Sequence, residues 1–140
     1  MSATAILAKP MRDTAQNVSV LVVEDNEINQ ALLIAMLAPL RHAVDVAADG
    51  HEAVAAARRM AYDIVLMDIN MPNMDGVEAT RLIRAMGGAL ASVPIIAVTA
   101  NAMVGDRENY LAAGLTDYLS KPIDRMQLIE TIDRWTGGGA

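Results

Sequence analysis

The sequence has no cysteine and no phenylalanine. The first absence excludes a disulfide framework, a thiolate metal site and a cysteine nucleophile. The second, with aromatics at only 3 % of residues, leaves Ala, Val, Leu, Ile and Met to build the core. Ten methionines suit that use as adaptable filler. Basic residues are outnumbered, and the net charge is -6. A nucleic-acid surface needs basic patches, so that function class is disfavoured. No apolar run reaches the length of a membrane-spanning helix. The short apolar piece near the start is followed, not preceded, by Lys9 and Arg12, which makes a poor signal peptide. These features predict a cytoplasmic protein without membrane contact. A length of 140 residues corresponds to about one domain, large enough for a core without staples.

Residues 1–17 show no sustained period and contain Pro10, so they read as a flexible N-terminal tail or linker. The glycines of 136–140 read as a flexible C-terminal end. Between them the pattern alternates. Apolar or β-branched strands are predicted at Val18–Val23, Ala43–Ala47, Ile64–Met67, Val93–Val98 and Asp117–Leu119. Helices are predicted at Asn26–Leu40, Gly50–Met60, Val77–Met86, Ala102–Ala113 and Asp124–Trp135. In the first helix, Ile28, Leu32, Ala35 and Met36 are assigned to one face. Alternating strands and helices predict an α/β fold with a doubly wound parallel sheet and five flanking helices. The runs at 18–23, 64–67 and 93–98 are apolar throughout, as strands buried on both faces must be. Asp45 points to an edge position for the second strand.

Doubly wound sheets bind ligands beyond the carboxyl ends of their strands. Those ends carry Glu24-Asp25, Asp68, Thr99 and Lys121-Pro122. Three carboxylates brought together repel one another, and desolvation worsens it. A hard cation relieves that repulsion, and all-oxygen ligation favours Mg²⁺ over zinc. Lys121 supplies a point charge for a carboxylate or a phosphoryl group. Thr99 can donate to a phosphoryl oxygen. Asp68 is placed to act as a nucleophile toward phosphorus.

The stretches LVVEDNEINQ (21–30), VLMDINMPNMDG (65–76), AVTANA (97–102) and DYLSKPI (117–123) carry a resemblance. Over residues 18–135 the chain resembles the response-regulator receiver domains of two-component and phosphorelay signalling. The stretches EDNEINQ, MPNMDG and TANA are most like receivers of hybrid histidine kinases. The resemblance implies a flavodoxin-like sheet in the order 2-1-3-4-5. It implies that Asp68 is the phosphoacceptor and that Asp25 and Asp68 ligate Mg²⁺. Glu24 then acts mainly through metal-bound water, and the backbone carbonyl of Asn70 is a further ligand. Thr99 and Lys121 contact the phosphoryl group. Tyr118 matches the aromatic that switches with Thr99, and the Lys121–Pro122 bond is expected to be cis. Ala100, Asn101 and Asn70 occupy positions that tune phosphoryl lifetime. The donor implied is a histidine kinase or a histidine phosphotransfer protein, with a downstream partner on the 103–119 face. Such a domain catalyses its own phosphorylation and dephosphorylation without being a conventional turnover enzyme.

Other readings stand beside this one. Asp68, Asn70 and Asp75 could open an EF-hand loop, but Asn73 and Ala79 occupy positions where that loop needs Gly and Glu. Asp75-Gly76 then reads as a turn and helix start, with Pro72 stiffening the loop. A phosphohydrolase of the haloacid-dehalogenase type shares the aspartate and Mg²⁺ but needs a second acid where Asn70 stands. A receiver-like module that binds partners without turning over phosphate is the third possibility. Ile28 and Leu32 lie one turn apart and are open to two assignments, core or contact with the donor. His42 and His51 are assigned to the surface, away from the strand ends. Trp135 is expected to anchor the last helix. The domain either stands alone or belongs to a longer hybrid kinase.

Overall fold

A computed structural model of the chain describes residues 18–40, 42–71, 74–100 and 106–136. The predicted tail at 1–17, the end at 137–140, Pro72, Asn101 and the start of the expected partner face at 103–105 lie outside the described residues.

Five parallel strands form one sheet in the order β2-β1-β3-β4-β5. They are β1 (Ser19–Val23), β2 (Ala43–Ala47), β3 (Ile64–Asp68), β4 (Ile95–Thr99) and β5 (Asp117–Ser120). The helices are α1 (Glu27–Leu37), α2 (Gly50–Arg59), α3 (Gly76–Ala85), α4 (Asp106–Ala112) and α5 (Arg125–Thr136). Every residue of β3 and β4 is buried, which explains their unbroken apolar runs. Residues alternate between two cores. Leu21, Val23, Val65, Met67, Ile95 and Ala97 face one cluster, completed by Ala53, Ala56, Ala79 and Ile83 of α2 and α3. Val20, Val22, Ile64, Leu66, Ile96 and Val98 face the other, closed by Leu33 and Leu37 of α1 and Leu128 and Ile132 of α5.

Carboxylate and amide caps start the helices. Asn26 accepts from the Ile28 and Asn29 amides at α1, Asp49 from Glu52 at α2, Asp75 from Glu78 at α3 and Asp124 from Gln127 at α5. Each such cap is worth about 1 kcal/mol. The residues after α3 take the left-handed conformation at Gly87 (φ 73°) and Gly88 (φ 60°), which suits glycine. Gly114 (φ 105°) does the same after α4. Arg84 ties α3 to that turn: its guanidinium donates to the carbonyls of Gly114 and Leu90 and to Thr116 Oγ1.

The structure departs from the sequence reading in four places. The first helix stops at Leu37 and continues as a 3-10 turn over Ala38–Leu40, which contains Pro39. Its buried residues are Leu33 and Leu37, whereas Ile28, Leu32 and Ala35 are exposed. The helix is apolar nearly all round, so the 3.6-residue period does not select a face. The fourth strand begins at Ile95, with Val93 buried ahead of it, and a 3-10 turn at Gly88–Ala91 had no distinct signal. His42 is buried rather than superficial, and its Nδ1 accepts from the Val18 amide at 3.4 Å. It does lie at the amino ends of the strands, opposite the acidic groups. His51 is exposed, as expected.

Candidate functional site

Register brings the strand-end residues together. Val23 pairs with Met67, so Glu24 and Asp68 leave adjacent strands at the same level. Asp68 pairs with Val98 and Thr99 with Ser120, which puts Thr99 one step and Lys121 two steps further along the same edge. The Lys121 amide donates to the Thr99 carbonyl at 2.8 Å, and the Lys121–Pro122 bond is cis.

Glu24, Asp25 and Asp68 each present an oxygen within 4.8 Å of the other two. Glu24 and Asp68 are both 2 % exposed, while Asp25 faces solvent. Lys121 Nζ lies 3.2 Å from Asp68 Oδ1 and 3.7 Å from Glu24 Oε1. Asp68 Oδ1 also accepts from the Asn70 amide at 3.1 Å, and Glu24 Oε2 accepts from the Asn26 amide at 3.2 Å. These bonds hold the acidic groups from the loops behind them. The Gln30 amide anchors the Glu24 carbonyl at 2.6 Å, fixing the turn between β1 and α1. Burial pushes the Glu24 carboxyl above its ordinary value, and the Asp68 charge adds to the rise. The Asn26 amide and Lys121 oppose it without cancelling it.

One ammonium therefore faces three carboxylates. The set is all-oxygen and only one-third neutralised, the donor chemistry a hard divalent cation requires. Thr99 is fully buried beside Asp68, and its Oγ1 accepts from the Tyr110 hydroxyl at 3.2 Å. Tyr118 is half-buried, and its ring lies 6.5 Å from that of Tyr110. Asn70 is exposed at the mouth of the site. Asp75 caps α3, the structural role expected of it. Ile28 and Leu32 are 78 % and 47 % exposed. That decides between core and surface for both. Leu32 and Leu33 line a groove of ≈ 320 Å³ with Glu24, Val98, Lys121, Pro122 and Ile123. The sequence did not single out Tyr110, whose partner lies across the α4–β4 packing.

The sequence matches the response regulator receiver domain family over residues 20–133. The chain belongs to that family. The haloacid-dehalogenase alternative is thereby set aside. This receiver is 42 % identical to Two-component system protein A of Emericella nidulans over 134 residues, covering 94 % of this chain and 19 % of that protein. Among solved structures, it is similar to the receiver domain of sensor histidine kinase PA1611 from Pseudomonas aeruginosa, which holds a magnesium ion in its active-site cleft. The identity there is 50 %, the TM-score 0.80, and the coverage 86 % of this chain and 98 % of that one. The receiver domain of Ssk1 from Saccharomyces cerevisiae, crystallised with the histidine phosphotransfer protein Ypd1, superposes with a TM-score of 0.80 at 32 % identity, covering 89 % and 92 %. The chain spans a fifth or less of the curated relatives it matches. No helix among the described residues is long and apolar enough to cross a membrane.

Proposed function

We propose that the domain accepts a phosphoryl group on Asp68 from a phosphohistidine donor and uses it to switch conformation or to relay the phosphate. One observation carries this reading: Asp68 sits buried between two further carboxylates, with the Lys121 ammonium on its Oδ1. A carboxylate oxygen of Asp68 attacks phosphorus in line. The phosphorus–nitrogen bond to the donor imidazole breaks, and its electron pair returns to that nitrogen. Lys121 and the Thr99 hydroxyl then face the phosphoryl oxygens, where charge accumulates.

Mg²⁺ fits this donor set. Glu24, Asp25, Asp68 and the backbone carbonyl of Asn70 would hold it, Glu24 chiefly through water. When bound it neutralises the carboxylates and the charge on the transferring group. The phosphorylated state shifts an existing equilibrium through Thr99 and Tyr118.

The donor is a histidine kinase or a histidine phosphotransfer protein. Leu32 lines the groove shared with Glu24 and Lys121, and Ile28 is exposed one turn earlier on α1, the kind of apolar contact that recognises an apolar helix face. A downstream partner uses the 103–119 face, and the domain works in the cytoplasm. Intact-protein mass after incubation with acetyl phosphate tests the reading. A Mg²⁺-dependent gain of one phosphoryl group, absent in Asp68→Asn, is expected. Labelling of Asp68→Asn to the wild-type level would overturn it.

A further inference from the structure

The outer face of α1 differs from those of α2, α3 and α5. α2 turns Arg58 and Arg59 to solvent, α3 turns Glu78 and Arg81, and α5 turns Glu130 and Arg134. α1 has no polar residue beyond Gln30. It exposes Ile28, Ala31, Leu32 and Ala35, spaced i, i+3, i+4 and i+7, and Ala38 and Pro39 continue the line past its end. Its inner face, Leu33 and Leu37, is apolar too. A helix apolar on both sides is ordinarily covered on both, and a continuous exposed apolar patch marks a contact surface.

The chain enters the fold at the foot of this face. Val18 lies in the same core cluster as Leu33 and Leu37. Its carbonyl accepts from the Ala43 amide at 3.0 Å, and its amide donates to His42 Nδ1 at 3.4 Å, just past the turn that ends α1. The segment before Val18 therefore starts beside the C-terminal end of α1. Its sequence holds an apolar run, AILA at 5–8, followed by Lys9. From Ile6 to Val18 an extended chain reaches about 40 Å, whereas the 11 residues of α1 rise about 16 Å. The run can thus reach Ile28 and Leu32 with length to spare. Lys9 then comes to the end of α1 where Asp25 and Glu27 are exposed, opposite to it in sign. A second copy of the chain is a poorer occupant, since it brings the same acids and a net charge of -6 to the contact.

We propose that the segment preceding β1 folds back along α1, seats Ile6 and Leu7 on Ile28 and Leu32, and screens the donor contact. The screening rests on the phosphotransfer reading; the docking does not. The contact is small, so closure is partial. A segment closed in about half to four-fifths of molecules leaves the remainder competent, which slows transfer from a protein donor by about two- to fivefold. Acetyl phosphate needs no such face and is not slowed.

The experiment uses the full chain. Because the sequence has no cysteine, Ala3→Cys places a single nitroxide label. The methyl signals of Ile28 and Leu32 should broaden strongly, and those of Leu82, exposed on α3 across the sheet, much less. Adding Ile6→Asp and Leu7→Asp should remove that difference. Equal broadening at all three residues, or a difference that survives the two aspartates, would overturn the docking. Broadening of isotope-enriched chains by unenriched spin-labelled ones would also overturn it and assign the face to a second copy. Screening is read without the label. Ile6→Asp with Leu7→Asp should accept phosphate from a phosphorylated histidine phosphotransfer protein about two- to fivefold faster than wild type, with the acetyl phosphate rate unchanged. An unchanged rate from the protein donor, or equal acceleration with both donors, would overturn the screening. Failure of wild type to label from either donor would instead overturn the receiver reading, and the broadening would still decide the docking.

Discussion

Gly76 begins α3 directly against the backbone carbonyl of Asp68. A Cβ at Gly76 would overlap that carbonyl oxygen and would also meet Met67 Cγ at 2.8 Å. The first of these neighbours is backbone and cannot rotate away. Gly76→Ala should therefore push α3 off the end of β3, at a cost of about 1–3 kcal/mol. The displacement acts on Asp68, the proposed phosphoacceptor, so Mg²⁺ binding should weaken with stability. A urea melt and a Mg²⁺ titration check both, and a variant matching wild type in each would refute the argument.

Lys121 is the only cation among the described residues placed on Asp68 and Glu24. Lys121→Ala leaves two buried carboxylates facing each other without it. The larger effect should fall on the phosphoryl-bound state, which loses a charge-assisted contact worth about 1.5–3 kcal/mol. Beryllofluoride affinity should drop by about ten- to a hundredfold, more than the equilibrium constant for folding changes. Lys121→Arg should restore it only in part, since a planar fork does not replace a point charge. Unchanged beryllofluoride affinity in Lys121→Ala would contradict the assignment.

Tyr62 offers a pH test at the edge of the sheet. Its hydroxyl donates to Asp45 Oδ2 at 2.6 Å. Burial first, then the Asp45 hydrogen bond and charge, raise the phenol from 10.0 to about 12. The folded state holds this proton more tightly than the unfolded chain. Its stabilising contribution is complete below pH 10.0 and disappears as pH rises through about 12. Spectrophotometric titration should place the Tyr62 ionisation late. Asp45→Asn should bring that step earlier, and an unmoved step would show that Asp45 plays no part.

Ile28 and Leu32 should matter to a protein donor and not to a small one. Replacing either with Asp should slow transfer from a phosphorylated histidine phosphotransfer protein by about tenfold, the scale of an interface anchor. Labelling by acetyl phosphate should stay at the wild-type rate. Equal slowing with both donors would mean that the change damages the pocket rather than the docking surface.

The strands and their carboxyl ends were legible because both faces of β1, β3 and β4 are buried, which leaves an unbroken apolar run ended abruptly by an acid or a threonine. Glu24, Asp25, Asp68, Thr99 and Lys121 could be read together for that reason. Face selection in α1 was not legible, since Ile28, Leu32, Leu33 and Leu37 are all apolar and only packing decides among them. Tyr110, His42 and Arg84 were missed or misplaced for a different reason. Each is a polar group whose partner comes from another element: Thr99 for Tyr110, the Val18 amide for His42, and the Gly114 carbonyl for Arg84. No local period announces such pairings.

The parallel register has a consequence for how this site can fail. Successive residues in a strand step about 3.3 Å and reverse their side chains. A slip of β3 by one residue would therefore not loosen the acidic pocket by degrees. It would send Asp68 to the opposite face and leave Glu24 beside an apolar neighbour, with both cores scrambled at once. Pocket geometry and folding are thus a single decision. Temperature, denaturant and most core substitutions should change how many molecules carry the pocket, and leave its shape intact in those that do.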